Sequence, residues 1–234
     1  MNQLAATLKL DVRLQARSKL YAIGIVIAVL LGVAGRLLAP PEYAGRILAV
    51  FFLTGVGSTT YMIGASLLLQ EKSQGTLQAL RVTPCSTTTY IASKVITLTS
   101  FALVESLIVY AIAFFGLPLN PIPMIFGVVF LGAIYTLVGL GQAAAHTSVT
   151  AFLFPGAVLV VGLLQAPIFY VLGGPDPVWQ LFPTQGSLLL ILGATEALSI
   201  WQWIYAFVAS IGTIALAFWW AKARFRKFIG LTES

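Results

Sequence analysis

Long apolar segments dominate this sequence and limit the folds that it can adopt. A helix needs about 20 apolar residues to cross the hydrocarbon core of a bilayer. Six stretches reach that length: 20–39, 45–69, 94–116, 122–143, 149–172 and 200–221. Their apolar residues are continuous rather than alternating, which excludes the strands of a membrane β-barrel. The sequence therefore predicts an all-α integral membrane protein, with residues 1–234 forming a single domain of six transmembrane helices.

Composition supports a membrane protein and excludes several kinds of site. The chain is 59% hydrophobic and only 9% charged, so its charged residues are too few to cover a water-soluble surface. Its one cysteine excludes an intrachain disulfide and a multi-cysteine metal site. No glycine-rich phosphate loop with a GKS or GKT ending occurs, so the chain has no nucleotide site of that kind. We expect no catalytic residue, no metal and no bound cofactor.

The basic residues predict the orientation of the helices, because lysine and arginine are enriched in cytoplasmic loops. If the N-terminus is cytoplasmic, only Arg36 and Arg46 fall on the outer side. The other eleven are then on the inner side: Lys9, Arg13, Arg17, Lys19, Lys72, Arg81, Lys94, Lys222, Arg224, Arg226 and Lys227. Both termini are therefore predicted to be cytoplasmic. Because these residues cluster at the ends of apolar segments, we expect no nucleic-acid partner.

Two shorter segments complete the predicted organisation. Residues 1–19 place Lys9, Arg13 and Arg17 at helical spacing, which favours an amphipathic helix on the cytoplasmic leaflet, with a merely basic tail as the alternative. Residues 173–198 lie between the last two spans and contain an apolar run that is too short to cross. This second segment is predicted to be an extracellular hairpin of short re-entrant helices packed over the bundle.

Residues 70–84, QEKSQGTLQALRVTP, form a polar stretch between the second and third predicted spans. Leu77 and Leu80 are three residues apart, which places both on one face of a short helix. Thr83 followed by Pro84 is typical of an N-cap and the first residue of a new helix. We therefore expect a short cytoplasmic helix that stops and restarts as the third span. Periodicity alone leaves an ordinary polar loop as an alternative.

A motif in and after this stretch resembles the signature of ABC-2 type transporter permeases. It runs Glu71-Lys72-x-x-Gly75-Thr76-Leu77-x-x-Leu80-x-x-Thr83-Pro84 and continues with Tyr90-x-x-x-Lys94. In that family the motif lies between helices two and three and includes the coupling helix that touches the ATPase subunit. The likeness covers the whole chain, and residues 181–190, LFPTQGSLLL, are similar to small actinobacterial fluoroquinolone export permeases.

The resemblance implies a transport subunit rather than an enzyme, located in the bacterial inner (plasma) membrane and surrounded by membrane lipids. Two copies of a cytoplasmic ABC ATPase subunit would bind ATP and Mg²⁺, and a second permease copy, identical or paralogous, would complete a dimer. The exported substrate would be hydrophobic or amphipathic: a drug, a secondary metabolite, a lipid or a peptide. The implied ATPase contact consists of Glu71, Lys72, Gly75, Thr76, Leu77, Leu80, Thr83 and Pro84.

Glu105 is the candidate site residue inside the membrane. It lies eleven residues after Lys94, or about 16 Å along a helix, close to the bilayer midplane. A charged carboxylate exposed to lipid there would be costly, so the side chain is expected to face the bundle or to be protonated. A place in the translocation path is the functional hypothesis, and a neutral hydrogen-bonded residue that tightens packing is the structural one.

Two other functional classes fit the sequence less well. An intramembrane hydrolase would need Ser58 and His146 as its dyad, but Ser58 is predicted about 20 Å below the outer surface and His146 at the inner mouth. A channel or secondary transporter working without ATP would account for Glu105. It would leave the motif between helices two and three without a purpose, and the repeats typical of secondary transporters are not visible.

Overall fold

The computed structural model describes residues 3–17, 19–38, 40–79, 86–117, 119–174 and 176–231, and the ordered elements in these ranges are helical. The α-helices are α1 (Gln3–Arg17), α2 (Leu20–Leu38), α3 (Ala44–Val50), α4 (Gly57–Ser73), α5 (Thr76–Ala79), α6 (Thr87–Ala113), α7 (Pro121–Ala144), α8 (Val149–Leu159), α9 (Ile168–Gly173), α10 (Gln185–Leu192) and α11 (Ile200–Leu231). The described residues contain no β-strand, so the prediction of an all-α protein is confirmed.

Among the described residues, five continuous helical segments are long and apolar enough to cross a membrane. They are Leu20–Leu38, Ala44–Ser73, Thr87–Ala113, Pro121–Ala144 and Ile200–Lys227, and they correspond to five of the six predicted spans. Three of them extend beyond the prediction: the second continues past residue 69 to Ser73, the third begins at Thr87 instead of residue 94, and the last continues past residue 221 to Lys227. The apolar pattern underestimates all three because their ends are polar.

The stretch predicted as a fifth span, 149–172, is interrupted. Apolar helix continues from Val149 to Leu164 and then gives way to a turn. The turn is closed by the Ile168 amide, which donates to the Gln165 carbonyl at 2.9 Å, and α9 starts directly after it. A π-helical stretch, Val160–Leu164, follows α8, and Pro167 cannot continue it because its ring has no amide hydrogen.

Helix α7 lies at the centre of the bundle, where it packs against α4, α6, α10 and α11. Asn120 starts it, since the Asn120 side chain accepts the Ile122 amide at 3.1 Å. The backbone of α10 comes very close at Gly127, where an added Cβ would lie 2.8 Å from the Ser187 carbonyl oxygen. Only glycine permits that approach. Between α7, α11 and α3, all eight residues of α10 are buried.

A π-helical stretch, Phe51–Val56, separates α3 from α4 inside the second span. The Gly57 amide closes it by donating to the Phe52 carbonyl five residues back. Within this wide turn the Leu53 carbonyl accepts from the Tyr135 hydroxyl of α7 at 2.9 Å. Gly57 makes room for the same ring, because an added Cβ would lie 2.8 Å from it. One aromatic side chain thus ties the irregular turn to the central helix.

The N-terminal helix α1 packs against α6 and buries polar residues instead of apolar ones. Asp11 and Gln15 are 3% and 0% exposed, whereas Leu10 and Val12 are 55% and 48% exposed. A helix in water would do the reverse. Asp11 and Gln15 have hydrogen-bond partners in α6, so polar contacts attach α1 to the bundle.

We predict that Tyr135→Phe lowers the melting temperature of the detergent-purified protein. The change removes a buried hydroxyl and leaves the Leu53 carbonyl without this donor, at a cost of about 1–3 kcal/mol. Tyr43→Phe is the matched control, because Tyr43 is 47% exposed, and it should leave the melting temperature unchanged. Equal melting temperatures for the two variants would show that the Tyr135 hydrogen bond does not stabilise the π-helical turn.

Candidate functional site

Three charged side chains from three helices meet inside the bundle. Lys94 of α6 places its Nζ 2.7 Å from Asp11 Oδ1 and 2.5 Å from Glu71 Oε1. Its side chain is 1% exposed, and those of Asp11 and Glu71 are 4% and 14% exposed. We refer to Asp11, Glu71 and Lys94 as the Lys94 cluster. It joins α1 and the end of α4 to the beginning of α6.

Hydroxyl groups complete the hydrogen bonding of both acids in the cluster. Ser93 Oγ donates to Asp11 Oδ2 at 2.5 Å, and the Tyr90 hydroxyl donates to Glu71 Oε2. Every carboxylate oxygen of the two acids therefore has a donor. Burying charges is costly unless they are paired and fully hydrogen-bonded, and this arrangement meets both conditions.

Further contacts extend the cluster to other helices. Gln15 Nε2 donates to Thr97 Oγ1 at 3.0 Å, and the Tyr21 hydroxyl at the start of α2 donates to Gln15 Oε1. On the other side, the Tyr90 ring packs against Phe225 of α11 with centroids 5.1 Å apart. Five of the long helices or their ends thus meet around Lys94, and we call this the α5 end of the bundle.

A glycine reverses the chain between α4 and α5. The Gln74 amide donates to the Gln70 carbonyl at 3.0 Å, and the Gly75 amide donates to the Lys72 carbonyl at 3.1 Å. Gly75 has a φ of +70°, the left-handed conformation that only glycine adopts without strain. The motif's glycine therefore ends α4 and directs the chain into α5.

Lys72 binds the end of α7 rather than facing outward. Its Nζ donates to the carbonyl oxygens of Ala143, Ala144 and His146 at 3.2, 2.8 and 2.8 Å. The last carbonyls of a helix lack partners within it and carry partial negative charge, so a lysine there is stabilising. Lys72 thus joins the end of α4 to the end of α7.

The residues predicted to contact an ATPase divide into two groups. The side chains of Glu71 and Lys72 bind other residues of this chain, namely Lys94 and the Ala144 carbonyl. Leu77 is 4% exposed and belongs to the main hydrophobic core. Thr76 is exposed and Gly75 is half-buried. Leu80, Thr83 and Pro84 lie outside the described residues, and the described part of the third span begins with Ser86 as its N-cap, whose Oγ accepts the Thr89 amide at 3.1 Å.

Sequence reasoning missed three parts of this site. The sequence places Asp11 in a basic N-terminal segment without indicating a partner for it. It indicates Lys94 mainly as a marker of helix orientation, and it does not point to Gln74, which is exposed. A signal for Asp11 exists, since it is the only acidic residue in α1. Its partner is 83 residues away, however, and no local pattern indicates that distance.

Glu105 is buried between α6, α4 and α2. It is 1% exposed, and its Oε2 lies 3.0 Å from Thr59 Oγ1, while its Oε1 has no hydrogen-bond partner. Gly24 of α2 makes room for the carboxyl group, because a Cβ there would overlap Oε1.

Thr59 supplies at most one hydrogen-bond donor to Glu105. The single hydrogen of Thr59 Oγ1 can serve Glu105 Oε2 or the Val56 carbonyl oxygen, which lies 2.9 Å away. The Val56 carbonyl also accepts from the Thr60 hydroxyl at 2.8 Å, so it does not depend on Thr59. With one donor and an unpartnered Oε1, an ionised Glu105 would be costly in this apolar surrounding.

Ser58 and His146 do not form a catalytic pair. Ser58 Oγ accepts from Gln165 Nε2 at 2.7 Å, and His146 Nδ1 lies 2.9 Å from the Gln142 carbonyl oxygen. The His146 carbonyl is bound by Lys72, which is fourteen residues, or about 21 Å, along α4 from Ser58. Within the described ranges, no group of three or more His, Cys, Asp or Glu residues could hold a metal ion.

Comparison with known proteins supports membrane transport. Residues 2–232 match the model of the fluoroquinolones export permease protein family. Two curated relatives are fluoroquinolones export permease proteins of Mycobacterium tuberculosis, one from strain CDC 1551 / Oshkosh and one from strain ATCC 25618 / H37Rv. Each is 31% identical over 239 residues, an alignment that covers 98% of this chain and 97% of the relative.

We predict that Lys94→Met sharply lowers the melting temperature of the purified protein. It leaves two buried carboxylates without their cation, and loss of one partner of a buried ion pair costs about 3–5 kcal/mol. Lys227→Met removes an exposed lysine of α11 and is the matched control. Adding Asp11→Asn and Glu71→Gln to Lys94→Met should restore part of the loss. No rescue would show that charge pairing is not what Lys94 contributes.

Proposed function

Because this chain belongs to the fluoroquinolones export permease protein family, we propose that it is the membrane-spanning subunit of an ATP-driven ABC exporter. In this proposal it moves a hydrophobic or amphipathic substrate out of the cytoplasm, using energy from a separate ATPase subunit. The main support is one observation: an exposed turn, Gln74 to Thr76, is connected through side-chain contacts to four long helices.

The contacts around this turn allow it to transmit a displacement imposed by a partner protein. Leu77 anchors α5 in the core, so the turn does not move independently of the bundle. At the end of α4, Glu71 connects to α6 and, through Lys94, to α1, while Lys72 connects to α7. A displacement of the turn is therefore passed to α1, α4, α6 and α7 together. A short helix with rigid attachments transmits force better than a flexible loop.

The ATPase in this proposal is a separate protein. The chain has no phosphate-binding loop, so ATP and Mg²⁺ would bind to two copies of a cytoplasmic ABC ATPase subunit. A second permease copy, identical or paralogous, would complete the assembly. Exposed apolar side chains on α8, such as Phe154 at 79% and Val158 at 58%, suit contact with that copy or with lipid.

We also propose six crossings with both termini in the cytoplasm of a bacterial inner membrane. Helix α7 ends beside Lys72, and α11 brings Phe225 beside Tyr90, so both helices have their C-terminal ends at the α5 end. The chain between them must cross back once, and the broken stretch of α8 and α9 is available for it. The eleven-to-two distribution of lysine and arginine supports a cytoplasmic α5 end.

Glu105 is the residue that we place in the translocation path. Its carboxyl group lies in the apolar interior with one oxygen unpartnered, next to the Phe101 ring. A neutral acid in such a place can pair with an amine or other donor on an amphipathic substrate. The names of the relatives refer to fluoroquinolones, which carry both a basic amine and an apolar ring system, and a compound of that class is the first probe to use.

The exposed turn provides the first test. We predict that Gln74→Arg combined with Thr76→Arg abolishes the ATPase activity that co-purifies with the tagged permease from native membranes. It should also abolish ATP-dependent fluoroquinolone uptake into inverted vesicles. The melting temperature should stay unchanged, because both side chains are exposed. Leu77→Asp is unsuitable, since it would place a charge in the core.

Gln180→Arg is the matched control for this experiment. It introduces one arginine, against two in the test variant, at an exposed glutamine near the opposite end of the bundle, where the Gln180 carbonyl accepts from Tyr205. It should leave both activities intact. Transport by the purified chain in ATP-free liposomes would contradict the proposal and favour a channel or secondary transporter.

Glu105 provides the second test. We predict that Glu105→Gln leaves expression and melting temperature close to those of the unmodified protein, because the amide has the shape of the neutral acid. Fluoroquinolone transport and substrate-stimulated ATPase activity should fall by about tenfold or more, the effect of losing one hydrogen bond to a charged group. Unaltered transport would show that Glu105 has a structural role.

A further inference from the structure

An apolar groove of about 630 Å³ runs along the outside of the bundle between α1, α2 and α6. Its walls consist mainly of the side chains of Leu8, Val12, Ile96, Phe101 and Val104. The groove lies beside Tyr21 in the first turn of α2, where a membrane span begins. Tyrosine is enriched at such interfaces with lipid headgroups. The groove is therefore placed where the hydrocarbon and headgroup layers of a bilayer meet.

Two cations border the groove without a counter-charge in the described part of the chain. Lys9 and Arg13 line it from α1, four residues apart and thus on one face of the helix. Both are exposed, and neither forms an ion pair with a carboxylate among the residues that the structure describes. Asp11, the one acid of α1, faces Lys94 on the opposite side. The groove edge therefore carries two positive charges that no described residue neutralises.

We propose that this groove binds an anionic phospholipid, with its phosphate on Lys9 and Arg13 and one acyl chain along Phe101 and Val104. The chemistry of the groove requires a ligand with an apolar chain and an adjacent negative charge. Such lipids are the bilayer components that combine the two. The groove opens sideways from helices whose neighbouring side chains, Ile23 and Val104, are 56% and 47% exposed, so a lipid reaches it without leaving the membrane.

The bound lipid would act on the same helices as the Lys94 cluster. Thr97 lines the groove and also accepts the Gln15 amide that attaches α1 to α6. A lipid in the groove touches both helices and holds them together from the opposite face. Anionic lipid should therefore stabilise the docked position of α1. Lipid binding in the groove does not depend on an ATPase partner.

The binding test uses the purified full-length chain in detergent, titrated with phosphatidylglycerol or phosphatidylcholine of the same acyl chains. Native mass spectrometry should show retained phosphatidylglycerol, and the melting temperature should rise with it and not with phosphatidylcholine. Lys9→Gln with Arg13→Gln should weaken phosphatidylglycerol binding by about tenfold or more. Arg226→Gln with Lys227→Gln removes two exposed charges of α11 outside the groove and should have little effect.

A second pair of variants distinguishes a groove from general surface attraction. Val104→Trp fills the groove and should abolish retention with both cations still present. Leu107→Trp is its matched control, because Leu107 is 44% exposed on α6 and does not line the groove. If Val104→Trp lowers the melting temperature of the lipid-free protein, Ser100→Trp, at another exposed groove position, replaces it.

Three results would overturn the proposal. Equal binding of the two lipids would show that the headgroup charge is not recognised. Weakening by the charge variants without an effect of the tryptophan variants would reduce the site to a charged surface. Loss with the tryptophan variants but not the charge variants would leave an apolar groove without selectivity for anionic lipid.

Discussion

One lysine ammonium group held between two carboxylates determines how the α5 end of this bundle is built. In an apolar surrounding, each charge of the Lys94 cluster is tolerated only because the other two are present and each acid oxygen has a donor. Apolar packing would hold helices together without fixing their register, since one apolar face fits another in many ways. The ion cluster accepts one register of α1, α4 and α6. The turn that follows α4 is therefore presented in a defined position.

The motif residues between α4 and α6 have two different roles. Glu71, Lys72 and Leu77 hold the segment against the bundle, while Gln74 and Thr76 are left on the surface. A sequence motif does not distinguish these roles, because both require particular side chains at particular spacings. The distinction matters for any partner of this surface. Such a partner would contact the exposed turn, and the buried residues determine which helices move when the turn is displaced.

The spans were predictable from sequence, and the contacts between them were not. Helix length and apolar content are local properties, so hydropathy located five spans and the short α8 stretch. The interruption at Pro167 occurs where the helical hydrogen bonds can no longer continue. Apolar content does not reveal that position. Pairing of Asp11 with Lys94 joins residues 83 positions apart, and no periodicity encodes it. Glu105 was predictable because a carboxyl group in a span is rare. The space that Gly24 leaves for its carboxyl group is visible only in the folded structure.

The polar face of α1 has a consequence for the order in which the protein is made. Asp11 and Gln15 leave the ribosome long before Lys94 and Thr97, their partners in α6. At about 5–20 residues per second, the 83 residues between Asp11 and Lys94 take roughly 4–17 s to synthesise. During that interval α1 has to keep its acid and amide in contact with water at the membrane surface. Helix α1 thus reaches its final place only after α6 has been made.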